Sequence, residues 1–413
     1  MVIVMGDDPR GRGSGTGPVV SAAGWTGMGV VLAVIAFRVC TPHAPELVYD
    51  IDPLLAGVPQ RAVGPALSLA LDVLMLLGAA AIVFGELRAG RGMSWLLVLL
   101  VALPIPLLLR HGLARAESLV LGSAWISAMV GATALAHLAR VDAARRLMLT
   151  LLLALAGPLL VRGGWQLLVE HPAMVQAYDA TRDSFLAARG WSPESTATQL
   201  YEERLRQPEA TGWFGFSNVF SAVLVALGLA WSGAALTGRA ARRDTGLVGG
   251  AALVVGGALL LVAINGSKGA LGATAIGAVL LTAGLLRRGA FARGRVAPWL
   301  LAAVPLIGIA AVVARGALPE GLLGDRSLLF RWQYLVGGMR ILETAPWTGV
   351  GADGFKDAYL LVRLPRAPEE VASAHGAAVD WLVAAGVTGL GWFAWLMWSI
   401  GRAGRAVHRA FLN

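Results

Sequence analysis

Apolar runs of about 18 residues or more recur along the whole chain, separated by short polar linkers and by two longer polar stretches. A run of that length covers the hydrocarbon core of a bilayer as a helix, so each predicts a membrane crossing. The pattern predicts ten: roughly Val19–Val39, Ala62–Phe84, Met93–Leu109, Ser118–Ala139, Leu147–Val169, Trp213–Leu236, Gly246–Ile264, Gly269–Leu286, Ala297–Val313 and Ala377–Ile400. The expected fold is therefore an all-α polytopic membrane protein, with about 10 transmembrane helices and two long extracytoplasmic loops that contain short helices. In chain order this gives a disordered tail (1–18), helices 1–5 (19–169), a first long loop (170–212), helices 6–9 (213–313), a second long loop (314–376), helix 10 (377–400) and a tail (401–413).

Charge orients this pattern. Arg88 and Arg91, then Arg140, Arg145 and Arg146, then Arg239, Arg242 and Arg243, then Arg287, Arg288, Arg293 and Arg295 all fall on alternate linkers. Arg402, Arg405 and Arg409 follow the last run on the same side. By the positive-inside rule that side and both termini are cytoplasmic, and the two long loops face outward. Arg110 and Arg115 fall on the outer side, where they either snorkel to headgroups or line a site. The 57% hydrophobic and 14% charged content, with a mean hydropathy of +0.68, is far from that of a soluble domain. Topology also accounts for the net charge of +9, so no nucleic-acid partner is expected. The single cysteine, Cys40, excludes an internal disulfide, and FRVC is a poor lipoprotein cleavage signal. The first apolar run reads as an anchor rather than a cleaved signal. Within the first long loop, PAMVQAYDATRDSFLAARG and PESTATQLYEERLRQPEA predict short amphipathic helices at the interface, broken at Gly190–Pro193.

The candidate chemistry lies in the stretch from Gly324 to Gly389, a polar segment that feeds directly into the last apolar run. His375 closes that segment at the mouth of a span. It reads either as a satisfied structural residue or as a general base, with Glu369, Glu370 and Asp380 near enough in sequence to orient it. Asp380 sits inside the last span, where an ionisable group is a functional candidate by default. Arg326, Arg331 and Arg340 are the neighbouring cations. On a helix beginning near Asp325 the first two are about 140° apart, which suits either a solvated face or a bidentate grip on phosphate. The tight turn NGSKGA (Asn265–Ala270) holds Lys268, one of two lysines in the chain, near the membrane surface. The sequence Gly349-Val-Gly351-Ala-Asp-Gly354 matches G-x-G-x-x-G, but no strand or βαβ unit surrounds it, so it reads as a turn and not a nucleotide site. The six histidines show no metal-ligand spacing, and no metal is expected.

These pieces together resemble the O-antigen ligase/polymerase family of bacterial membrane glycosyltransferases. The match rests on Arg331 in SLLFRWQY, on ETAPWTGVGADGF, and on AHGAAVDWLVAAGVTGL, in that order. GWFGFSNVFSA, with Asn218, is similar to the family's glycine–asparagine entry to a span, and NGSKGA to its Ser-Arg outer turn. The likeness covers roughly Gly212 to Ile400. Lys268 stands where the family has Arg, Gly376 where it has Asn, and Ala384 where it has an acidic residue.

The resemblance implies transfer of a glycan from an undecaprenyl-diphosphate carrier to an acceptor hydroxyl on the periplasmic face of the inner membrane, without a cofactor, metal or nucleotide sugar. It implies Arg331 and Lys268 as the diphosphate grip with Arg326 or Arg340 assisting, His375 as catalytic base, and Asp380 and Asn218 in support. The implied partners are the carrier-linked donor, a lipid or glycan acceptor, and membrane lipids. Ligase, polymerase and protein O-glycosyltransferase share these motifs. A polysaccharide or lipid transporter (flippase) and a catalytically inactive family member are the rival expectations.

Overall fold

The computed structural model describes residues 20–42, 63–237, 245–286, 296–318, 326–367 and 369–399, and every regular element among them is helical. Eight helical segments of the described residues are long and apolar enough to cross a membrane. They coincide with eight of the ten expected runs. The other two fall on helices of 19 and 22 residues, α12 (Lys268–Leu286) and α13 (Val296–Ala317). The expected terminal tails and the arginines at 239–243 and 287–295, expected to be cytoplasmic, lie outside the described residues.

The first bundle joins α1 (Ala22–Val39), α2 (Pro65–Arg88) and α5 (Ala116–Leu138) around Met28, Val31, Met75, Ile82 and Leu138. A carboxylate within a span is costly unless its oxygens are satisfied. Asp72 of α2 meets that condition, accepting from Arg38 at 2.7 Å, Ser123 at 2.8 Å and Ser127 at 2.5 Å. Arg38 donates also to the Ser68 carbonyl at 2.9 Å. This buried pair locks three helices in register and leaves no acceptor pointing into open space.

Two spans are broken, and they lie side by side. The third expected span is split into α3 (Trp95–Ala102) and α4 (Ile105–Ala114). Pro104 has no N–H to give the Leu100 carbonyl, so the helix ladder lapses there. The last span is split into α16 (Ala377–Ala385), a 3-10 turn (Gly386–Gly389) and α17 (390–399). Trp392 of α17 fills the gap, its indole N–H donating to the Val101 carbonyl at 2.9 Å inside a core of Leu97, Leu108, Ala384, Ala385 and Trp395. Trp392→Phe keeps most of the apolar volume and orphans that carbonyl. The expected cost is about 1–2 kcal/mol, read as a lower thermal midpoint of the purified protein.

The chain departs from expectation after the fifth span. Helix continues from α6 (Asp142–Ala154) and α7 (Ala156–Trp165) through a π-turn (Gln166–Glu170) into α8 (His171–Arg189). That run of 48 residues is more than twice the ~20 that a crossing needs, so the helix carries on past 170 without interruption into the first of the two short helices expected there. The π-turn accommodates Pro172, whose missing N–H would otherwise interrupt the ladder. Gly190, with φ of 65°, ends α8, and Ser195 caps α9 (Thr196–Arg206), which folds back on it around Tyr178, Phe185 and Leu186. The Arg182 guanidinium at 2.6 Å holds the Glu202 carboxyl below its ordinary value. A depressed folded-state pKa stabilises above the unfolded value and is lost as pH falls through the folded one. Acidification below the ordinary carboxylate range therefore loosens this hairpin, an effect that Glu202→Gln removes in a hydrogen-exchange titration.

A third bundle joins α10 (Ser217–Thr237), α11 (Thr245–Ile264) and α12 around Phe220, Leu224, Leu261 and Val262. The remaining described elements, α14 (Arg326–Thr344) and α15 (Phe355–Val362), pack with α16 around Tyr334, Ile341, Phe355, Tyr359 and Val383.

Candidate functional site

The site is built where the turn Pro346–Gly354 meets the break in the last span. Its backbone replaces the lost helical partners. Val350 N–H donates to the Val383 carbonyl at 2.9 Å, Gly351 N–H to the Ala384 carbonyl at 3.0 Å, and Val387 N–H returns a bond to the Pro346 carbonyl at 2.8 Å. Irregular backbone at membrane depth is tolerable only when satisfied this way. The approach is close enough to demand glycine. Gly349, with φ of 63°, would drive a Cβ into the Ala384 carbonyl group, and Gly386, with φ of 60°, would place one 2.5 Å from the Pro346 oxygen. The G-x-G-x-x-G stretch is thus a turn clasping a helix. Ala384, at the position where the resemblance has an acidic residue, is buried beneath this clasp.

His375 stands at the head of α16 with φ of 53°, the one non-glycine residue with positive φ among the described residues. Its local partners enforce that conformation. Asp380, one turn into α16, reaches back to accept from Ala374 N–H at 2.7 Å and Ser373 Oγ at 3.0 Å. Ser373 Oγ in turn accepts from His375 N–H at 2.9 Å. The imidazole is exposed and lies against the Tyr334 ring, with centroids 5.5 Å apart. None of the three carboxylates near it in sequence is hydrogen-bonded to that ring among the described residues. Glu369 accepts from the Tyr334 hydroxyl, Glu370 lies 3.7 Å from Lys356, and Asp380 acts through the backbone. Beside Tyr334, burial pushes the Tyr359 phenol above its ordinary range and keeps it neutral.

Arg331 precedes Tyr334 by three residues on α14, about 60° around the helix, and is exposed. The residue of α14 that meets His375 is thus Tyr334, three positions on from Arg331. Arg340 is turned elsewhere, donating to the Val362 carbonyl at 3.0 Å and so tying α14 to the end of α15. Arg326 opens α14, and its side chain lies outside the described residues. Lys268 is exposed at the head of α12, and Asn218 is exposed at the second position of α10, so both belong to the third bundle and not to the core around Tyr334. In the NGSKGA turn it is Asn265 that is fully engaged. Its side chain accepts from Ala210 N–H at 2.8 Å and donates to the Ala210 carbonyl and to Ser221.

Sequence reasoning missed Tyr334, Ser373 and the elbow between α4 and α5. At that elbow His111 Nε2 lies 3.1 Å from the Thr348 carbonyl, Arg115 is 3.0 Å from Asp357 and 3.8 Å from Asp353, and the buried Ser118 donates to Asp353. Of the two arginines on that side, Arg115 is held by the loop, while Arg110 is exposed. The only available signal was the placement of Arg110 and Arg115 against the positive-inside trend. A cavity of about 60 Å³ separates this elbow's helix from the head of α16, lined by Trp125, Phe355, Ser373 and Asp380. No group of three or more His, Cys, Asp or Glu side chains among the described residues is placed to hold a metal ion.

No family model, no curated protein and no solved structure matches this chain.

Proposed function

We propose that this multi-pass membrane protein is a glycosyltransferase that moves a glycan from an undecaprenyl-diphosphate carrier to an acceptor hydroxyl. The observation that carries the reading is the exposed, left-handed His375 at the head of a broken span, packed on Tyr334 of the helix that also bears the exposed Arg331. In this reading the chain makes ten crossings of the bacterial inner membrane with both termini cytoplasmic, and the segments around 170–212 and 314–376 face the periplasm. The acceptor oxygen bonds to the anomeric carbon as the carbon–oxygen bond to the diphosphate breaks, and the acceptor proton passes to His375. The leaving diphosphate is already a stable anion, so fixed cations suffice to receive its charge. Arg331 is its principal grip, with Lys268 and Arg326 as the further cations, while Arg340 is committed to Val362.

The test is Arg331→Ala in the native host, read on a gel of surface polysaccharide. The expected result is accumulation of carrier-linked polymer if the enzyme is a ligase, or a shortened ladder if it is a polymerase. An unchanged ladder from a membrane-inserted variant overturns the assignment. Orientation has its own test: cysteines placed at Glu369 and Arg293 label from opposite sides of the membrane.

A transporter or flippase is the second reading, favoured by the pair of broken spans, since such breaks build substrate sites in transporters. Against it, the carbonyls at Val101, Val383 and Ala384 are already bonded within the protein. Reconstituted vesicles that translocate a carrier-linked glycan without transferring it would favour this second reading.

A further inference from the structure

We infer that His111, Arg115 and Ser118, at the elbow of the amino-terminal half, are positioning residues for the site in the carboxy-terminal half. The inference rests on the glycosyltransferase reading for its chemistry but on geometry alone for its coupling. The turn Pro346–Gly354 is gripped from two sides. One side is the broken span, through Val350 to Val383 and Gly351 to Ala384. The other is the elbow, through His111 to Thr348 and Ser118 to Asp353, with Arg115 bridging Asp353 and Asp357. Gly351 is enclosed between the two grips, since a Cβ there would lie 2.8 Å from Ser118 Oγ and 3.0 Å from His111 Cβ.

The turn therefore has no freedom to slide along α16 without breaking the elbow contacts. α16 carries His375 at its head, and α14, which leads directly into the turn, carries Arg331. Shifting the turn shifts both groups relative to each other. A carbonyl oxygen can only accept, so the His111 contact requires the tautomer with its proton on Nε2. Glutamine presents an amide N–H at comparable reach, whereas phenylalanine fills the ring volume with no donor.

The experiment compares His111→Phe with His111→Gln in the full-length protein. Two readouts are taken: glycan transfer, and the labelling rate of His375→Cys by a membrane-impermeant maleimide in a Cys40→Ser background. In the Phe variant, transfer is expected to fall about tenfold or more, because small displacements of catalytic groups are expensive, and labelling at 375 is expected to change severalfold. The Gln variant is expected to restore both. Labelling and transfer that are equal in the parent, Phe and Gln proteins overturn the proposal, as does labelling that shifts while transfer does not. Labelling that shifts with Phe and recovers with Gln, in a parent that transfers no glycan, keeps the coupling and removes the glycosyltransferase reading. Where the Phe variant fails to accumulate, Ser118→Ala removes a second contact of the same elbow, and the same two readouts decide.

Discussion

Gly349→Ala is expected to destabilise the protein by more than about 3 kcal/mol, enough to prevent its accumulation in the membrane. Two costs add. The residue sits at φ of 63°, where an L side chain costs about 1–2 kcal/mol, and the new Cβ would overlap the Ala384 carbonyl group. That neighbour is backbone, already bonded to Gly351 N–H, and it has no rotamer into which it can retreat. Relief requires withdrawing the turn, which exposes the Val383 and Ala384 carbonyls in a setting without water to receive them. The control is Gly256→Ala in the middle of α11, where a Cβ meets nothing within 4 Å. There alanine is expected to be neutral or to stabilise by up to about 1 kcal/mol, since it only reduces the freedom of the unfolded chain. Yield and thermal midpoint of the two variants, measured side by side, check both. Equal behaviour of the two would mean that the turn does not clasp the span.

His375→Gly is expected to separate stability from activity. Glycine adopts positive φ without penalty, so relief of about 1 kcal/mol of strain offsets the lost contact with the Tyr334 ring and leaves the thermal midpoint near that of the parent. His375→Ala keeps the strain and loses the contact with the Tyr334 ring, so its midpoint falls. Both variants lack the imidazole, and both are expected to lose transfer by about 10²–10⁴-fold, the range that a positioned general base supplies. Glycine above alanine in stability, with activity only for histidine, marks a residue retained for its side chain against its backbone's preference. Full transfer by the glycine variant would remove His375 from the mechanism.

The structure supplies a physical reason for part of the order of residue types between Gly324 and Gly389. The glycines at 349 and 386 serve a close approach between backbones, and Gly351 makes room for the Ser118 and His111 side chains, so their spacing reflects packing and not a phosphate cradle. Asp380, expected to orient the imidazole directly, is spent on Ser373 and Ala374 and shapes the backbone beneath His375 instead. Asp72, a second buried carboxylate within a span, is consumed by Arg38 and two serines. Neither outcome was legible in the sequence, because the partners of a buried carboxylate come from other helices or from local turn geometry that periodicity does not encode.

What the sequence by itself determined is the helical, multi-pass character and the approximate position of the spans. That follows because the bilayer imposes a length and an apolarity on each crossing, and those are local properties of a run of residues. Arg331 and His375 were also legible as exposed polar groups bordering an apolar run. Tertiary structure alone decided that Tyr334 packs against His375, that Lys268 and Asn218 belong to a different bundle, and that a turn more than 200 residues from its partners is clamped by His111 and Ser118. Those are long-range pairings, fixed by which carbonyls two broken helices leave without a donor and by which side chains lie close enough to satisfy them.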